Sequence, residues 1–225
     1  GLINGLVISL SGIPPFVATL ASQISYRGLA YIICNGKPIG NLPQNMLILG
    51  VGRVLGIPVP IIFMLALFII GGVILSKTVF GRSVYAMGGN RTAAHLAGIN
   101  IKRATMITYL ISGMMSAFAG IILAGRNASA QPTAGNAFET EAIAGCAMGG
   151  VAFDGGSGSV VGVFFGIVLM GIINNGMNLL GIDYYWQLVV KGIIITASVI
   201  YSMNTNKIHT KRKNKDISKA EASAS

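Results

Sequence analysis

Charge is scarce in this chain. Acidic residues number six, and charged residues of both signs make up 10% of 225 positions, against about 25% in soluble globular domains. That excludes an ordinary water-exposed surface. Cysteine occurs twice, as Cys34 and Cys146 in separate apolar segments. With no CxxC or zinc spacing, a redox pair or structural metal is excluded, and both read as small buried hydrophobes. Histidine is equally sparse: His95 and His209 lie far from each other and from the acids. No catalytic residue and no metal ligand is therefore assigned. The phosphate-binding pattern GxxxxGK followed by Ser or Thr is absent. The glycine-rich Asp154-Gly155-Gly156-Ser157-Gly158-Ser159 has no Lys-Ser or Lys-Thr after it and reads as a turn. The expectation is a non-enzyme that binds no cofactor of its own.

Apolar residues fill the space. They make up 53% of the chain, mean hydropathy is +0.72, and 31 glycines suit helices packing closely in lipid. The net charge of +10 comes from basic residues gathered in one internal loop and in a tail holding Lys207, Lys211, Arg212, Lys213, Lys215 and Lys219. These are not interleaved with exposed aromatics, so nucleic acid is not an expected partner. The distribution instead follows the positive-inside rule, which puts loop and tail in the cytoplasm. Residues 1–204 are expected to form a transmembrane domain and 205–225 a basic, disordered cytoplasmic tail.

Apolar runs mark the spans. Gly1 to Leu10 reads as the end of a membrane helix, so the chain is expected to be the later part of a longer protein. A turn at Pro14-Pro15 follows. Phe16 to Cys34 reads as the first complete span, with Arg27 a cost in hydrocarbon unless it snorkels or faces inward. Asn35 to Gly56 is rich in Gly, Pro and Asn, and is either re-entrant or laid along the outer surface. Ile57 to Ser76 has the length needed to cross a core of about 30 Å; Ala104 to Ala124, Val160 to Asn178 and Trp186 to Met203 cross again. An even number of crossings must separate two cytoplasmic basic segments, so the short Ala142 to Phe153, extended by Phe138 to Glu141, is expected to supply the fourth.

Between two of these runs lies Lys77 to Arg103, with five positive charges and no acidic residue. Inside it, Arg91-Thr92-Ala93-Ala94-His95-Leu96-Ala97 predicts a short helix. Asn90 or Thr92 would cap it, and Gly98 would end it by adopting the left-handed conformation. Elsewhere the polar residues are few. Asn174 and Asn178 share a helix face at i, i+4 beside Asn175, after the Gly162–Gly166 GxxxG spacing. They read either as interhelical hydrogen bonds or as the lining of a polar solute path. Glu139 and Glu141 do not share a helix face and read as solvated or helix-N-terminal. Asp183 to Trp186 form an interfacial belt, and Lys191 either snorkels to it or pairs inside the bundle.

Several of these stretches together resemble one family. They are Pro14 to Leu20, Tyr26 to Tyr31, Gly81-Arg82 through Gly88-Gly89-Asn90 to Ile99, Gln131 to Gly135, Glu139 to Ala144, Gly149-Gly150 and Asn175 to Gly181. They look like the permease subunit of ribose-type monosaccharide ABC importers, and the likeness runs through all but the tail. It implies an all-α polytopic bundle of the ten-helix type, with about the first three helices absent here. It implies a bacterial plasma membrane location and a role in forming the translocation path. It also implies four partners: a cytoplasmic ABC ATPase that binds the ATP, an extracytoplasmic sugar-binding protein, a second permease copy in a homodimer, and membrane lipid. In such permeases the basic loop carries a coupling helix seated in the ATPase. Carried over, Gly88, Gly89, Asn90, Arg91, Ala93, Ala94, Leu96, Gly98 and Ile99 would make that contact. The alternative is an ion-coupled carrier for small polar solutes, against which stands the scarcity of carboxylates in the spans.

Overall fold

The computed structural model describes residues 1–198 and residue 200. The expected cytoplasmic tail, 205–225, lies outside the described residues. Helix dominates, and the chain divides after Asn136 into two compact units within the expected domain 1–204.

The first unit holds α1 (Leu2–Ser11), α2 (Pro15–Cys34), α3 (Gln44–Val51), α4 (Val59–Lys77), α5 (Val79–Gly89), α6 (Arg91–Leu96) and α7 (Ile101–Arg126). Helix α7 is its axis, because glycines let two other helices reach it. On α1, Gly5 lies against the backbone of Met106, and Gly1 against Gly113. On α3, Gly50 lies against Gly125, where an added methyl would strike backbone. Close approach of this kind replaces the hydrophobic driving force that lipid does not supply. Phe63 of α4 meets Phe118 of α7 edge to face, with centroids 5.2 Å apart. Polar side chains tie α2 in: Ser22 donates to Asn4 Oδ1 at 2.6 Å, and Arg27 donates to Asn136 Oδ1 at 2.5 Å. Arg27 thus finds a partner within its own unit.

Asn35 to Gly56 carries structure that the sequence did not announce. It contains the eight-residue helix α3, packed on α7, and enters a small hairpin, β1 (Arg53–Val54) with β2 (Ile57–Pro58). Leu55 (φ 53°) and Gly56 (φ 83°) turn it, which is the left-handed pair that two-residue hairpins use. Gly, Pro and Asn around the short Met46-Leu47-Ile48-Leu49 run concealed the helix.

The second unit begins at Ala137. It holds α8 (Phe138–Met148), α9 (Val160–Leu179) and a tenth helix, α10, over 184–198. The expected short crossing, Ala142 to Phe153 extended by Phe138 to Glu141, is corrected at its end: the helix starts at Phe138 but stops at Met148. Gly150 (φ 78°) closes it, with Val151 N–H bonding back to Cys146 O at 3.1 Å. Its 11 residues make about 16 Å of helix at 1.5 Å per residue, half a bilayer core. Against it, α9 packs through glycines: Gly145 on α8 and Gly149 at its C-cap, Gly162 and Gly166 on α9.

Three described helices, α4, α7 and α9, are long and apolar enough to cross a membrane. Helix α2 has the length, 20 residues, but is not among them, since Thr19, Ser22, Gln23, Ser25 and Arg27 lower its hydropathy. The segment expected to be the first complete span is therefore a full-length helix of mixed polarity.

Candidate functional site

The basic loop folds into a braced connector of three helices. Thr78 ends α4 and starts α5, its hydroxyl accepting from Gly81 N–H at 3.1 Å. Asn90 does the same one helix later. Its N–H bonds to Ala86 O at 3.0 Å, closing α5, and its Oδ1 accepts from Ala93 N–H at 2.9 Å, opening α6. Of the two residues the sequence offered as cap, Asn90 holds the position, because its extended backbone (φ −155°) aims the side chain at the free amides. At the other end Gly98 (φ 82°) gives its N–H to His95 O and Ile99 gives its N–H to Ala94 O, at 3.0 and 3.1 Å. This is a Schellman-type closure, which needs a residue without a Cβ penalty at the left-handed position. Asn100 then accepts from Arg103 N–H at 3.0 Å and starts α7.

Each helix junction between Lys77 and Arg103 is thus closed by at least one side-chain or backbone hydrogen bond. Thr105 of α7 adds a brace, donating its hydroxyl to Met87 Sδ of α5 at 3.5 Å.

The sequence-selected residues divide by position. Gly88 and Gly89 belong to the last turn of α5 rather than to a loop leading into α6. Arg91, Ala93, His95 and Leu96 face outward, with Leu96 83% exposed. Ala94 is 4% exposed and seats the short helix on its own unit. Its part is support, while Arg91 and Leu96 are available to a partner. Leu96 thus presents an apolar side chain outward on a capped helix among cations.

The second unit holds a different polar group. Gln187 and Lys191, one turn apart on α10, are 7% and 8% exposed. Gln187 Nε2 donates to Asn178 Oδ1 at 2.8 Å and to Ile182 O at 2.9 Å. Lys191 Nζ donates to Glu141 Oε1 at 2.5 Å, an ion pair joining α10 to the first turn of α8. Asn174 Oδ1 is inaccessible to solvent and has no hydrogen-bond partner among the described residues. Asn175 is exposed. Of the three asparagines, Asn178 therefore does the interhelical bonding, and Asn174 is left with an unused acceptor. Gln187 went unnoticed in the sequence, although its i, i+4 spacing to Lys191 was a signal. For Lys191 the structure selects pairing inside the unit over snorkelling, and Glu141 is the partner.

Long apolar helices and glycine-mediated packing define a helical multi-pass membrane protein. The family model described as "Branched-chain amino acid transport system / permease component" matches residues 1–199, and the chain belongs to that family. The chain is 46% identical over 199 residues to the ribose import permease protein RbsC of Bacillus subtilis (strain 168), covering 88% of this chain and 62% of the relative. It is 43% identical to the L-arabinose transport system permease protein AraH of Escherichia coli (strain K12), covering 88% and 61%. It is 37% identical to the D-allose transport system permease protein AlsC of the same strain, again covering 88% and 61%. The chain thus spans a little over six-tenths of the length of these relatives. No solved structure matches it.

Proposed function

We propose that this chain is the membrane-spanning part of a permease subunit in an ATP-driven importer of monosaccharides, ribose-like in size and polarity. The observation that carries this reading is α6: a six-residue helix, capped at both ends by the chain itself, with Leu96 and Arg91 outward in a cationic loop. Such a helix suits a partner that pushes. In this reading the partner is a separate cytoplasmic ABC ATPase, which binds and hydrolyses the ATP, so the permease is no enzyme and needs no cofactor of its own. The coupling contact is made by Arg91, Ala93 and Leu96 on a platform set by Gly88, Gly89, Asn90, Ala94, Gly98 and Ile99.

The relatives named for ribose, L-arabinose and D-allose support a monosaccharide as cargo, delivered by an extracytoplasmic sugar-binding protein. A second copy of the permease completes the path as a homodimer within the lipid of a bacterial plasma membrane. Loop 77–103 and the C-terminus face the cytoplasm on the positive-inside rule. Asn174 and Asn178 lie on the side of α9 that would meet a polar solute.

The test is uptake by the full-length permease, reconstituted in proteoliposomes with its ATPase and binding protein and offered radiolabelled ribose, arabinose, allose and leucine. ATP-dependent accumulation of a monosaccharide, and not of leucine, is the expected result. Accumulation driven by an ion gradient without ATP would overturn the reading in favour of a secondary carrier.

A further inference from the structure

The second unit buries more hydrogen-bonding capacity than its packing consumes. Lys191 has three N–H donors, and Glu141 takes one of them. Glu141 keeps a second carboxylate oxygen and is half-buried at the start of α8. Gln187 spends both N–H donors of its amide on Asn178 and Ile182, and the bond to Asn178 fixes the level at which α10 meets α9. One turn further from the connection, on each helix, come Lys191 and Asn174. The orphan Oδ1 of Asn174 therefore belongs to the same level as the ammonium and carboxylate of the ion pair. A buried amide oxygen without a donor costs free energy that a packed apolar side chain would not.

We propose that Asn174, Gln187, Lys191 and Glu141 form a hydroxyl-recognition subsite for a neutral, polyhydroxylated solute. A hydroxyl both donates and accepts: it can give its proton to Asn174 Oδ1 or Glu141 and take one from Lys191. The paired charges cancel, so a free anion meets Glu141 and a free cation meets Lys191, each unfavourably. An apolar solute leaves Asn174 Oδ1 unsatisfied, which polar sites reject strongly. The subsite rests on the monosaccharide-import reading and refines it. It moves recognition away from the exposed Asn175 and onto α10 and α8.

Asn174 provides the decisive variant, since its Oδ1 has no internal bond to lose. In the full-length importer, reconstituted with ATPase and binding protein, Asn174→Ala is expected to keep the wild-type amount of folded protein and the wild-type melting temperature. It is also expected to keep ATP hydrolysis stimulated by the binding protein. Ribose uptake at saturating ribose is expected to fall about ten-fold, the worth of one hydrogen bond to the solute. Asn174→Ser, which retains an oxygen acceptor, should recover most of that loss. Uptake by Asn174→Ala within two-fold of wild type overturns the subsite. So does a parallel fall of uptake and ATP hydrolysis, or a loss of folded protein, because either outcome makes Asn174 a structural residue. If the wild-type importer accumulates no sugar at all, the importer reading itself fails and the subsite falls with it.

Discussion

The backbone of Gly149, the C-cap of α8, rests directly on that of Gly162 in α9: a methyl built on either glycine would strike the other residue's main chain. One turn along, a methyl on Gly166 would strike the main chain of Gly145 and Gly149, and one on Gly145 would meet Ile167. Larger residues here must push the helices apart. Gly149→Val or Gly162→Val is expected to cost about 1–3 kcal/mol, the usual penalty of overpacking. Gly171→Ala in the same α9 meets open space, and should be neutral or slightly stabilising because helical alanine is favoured over glycine. Thermal unfolding of the purified protein in detergent checks both, and equal melting temperatures for Gly162→Val and Gly171→Ala would contradict the packing.

The double use of Asn90 makes a second expectation. Asn90→Ala removes the acceptor for Ala93 N–H and should destabilise the connector by about 1 kcal/mol, the worth of an N-cap. Asn90→Asp keeps the acceptor and should retain the wild-type melting temperature. Gly98→Ala leaves the caps in place but strains a left-handed position (φ 82°), at a cost of about 1 kcal/mol or more. Differential scanning fluorimetry ranks the three: wild type and Asn90→Asp together, Asn90→Ala and Gly98→Ala below.

Much of this was legible in the sequence, because membrane helices advertise themselves by local composition. The runs behind α4, α7 and α9 stand within three residues of the helices found at their starts, and Gly98 was marked as the stop of α6. What was not legible depends on neighbours. The pairing of Lys191 with Glu141 joins residues 50 positions apart, and no spacing rule links them. Helix α3 is only eight residues and owes its existence to the Gly50–Gly125 contact with α7 rather than to its own length. The end of α8 followed from Gly150 and not from hydropathy, so the apolar run to Phe153 carried that helix past its stop at Met148. The Gly145–Gly149 spacing, by contrast, was present to be read alongside Gly162–Gly166.

The opposite orientations of Leu96 and Ala94 separate coupling from folding. Leu96 is outward, so Leu96→Asp and Arg91→Glu should leave the melting temperature within about 1 °C of wild type, as surface substitutions usually do. Both should lower ATP-coupled uptake about ten-fold or more if the α6 face docks on the ATPase. Ala94 is inward, so Ala94→Leu should lower the melting temperature as well as uptake, by overpacking the seat of α6. Measuring melting temperature, ATP hydrolysis and uptake on the same three variants resolves the pattern. Wild-type uptake by Arg91→Glu and Leu96→Asp would remove α6 from the coupling contact.

Lys191 and Glu141 differ in what each can lose. Lys191 is buried, and Glu141→Gln leaves its ammonium among apolar helices without a counter-charge. Breaking a buried pair costs about 3–5 kcal/mol. Here Glu141 is 35% exposed, and water reaching that end of the pair reduces the expected loss to about 1–3 kcal/mol. Lys191→Met, which removes the buried charge itself and leaves only a half-buried carboxylate unpaired, should cost less than Glu141→Gln. The double variant Glu141→Gln, Lys191→Met should recover part of the loss, because no unpaired charge remains. Exchange of the two residues, Glu141→Lys with Lys191→Glu, restores the pair but places a cation at the N-terminal turn of α8, where the helix dipole favours an anion. The exchanged protein should therefore be less stable than wild type yet more stable than either single charge reversal. Unfolding midpoints of all of these, measured in one detergent at one ionic strength, give the coupling energy by a double-mutant cycle. A coupling energy indistinguishable from zero would mean that the pair does not hold α10 to α8.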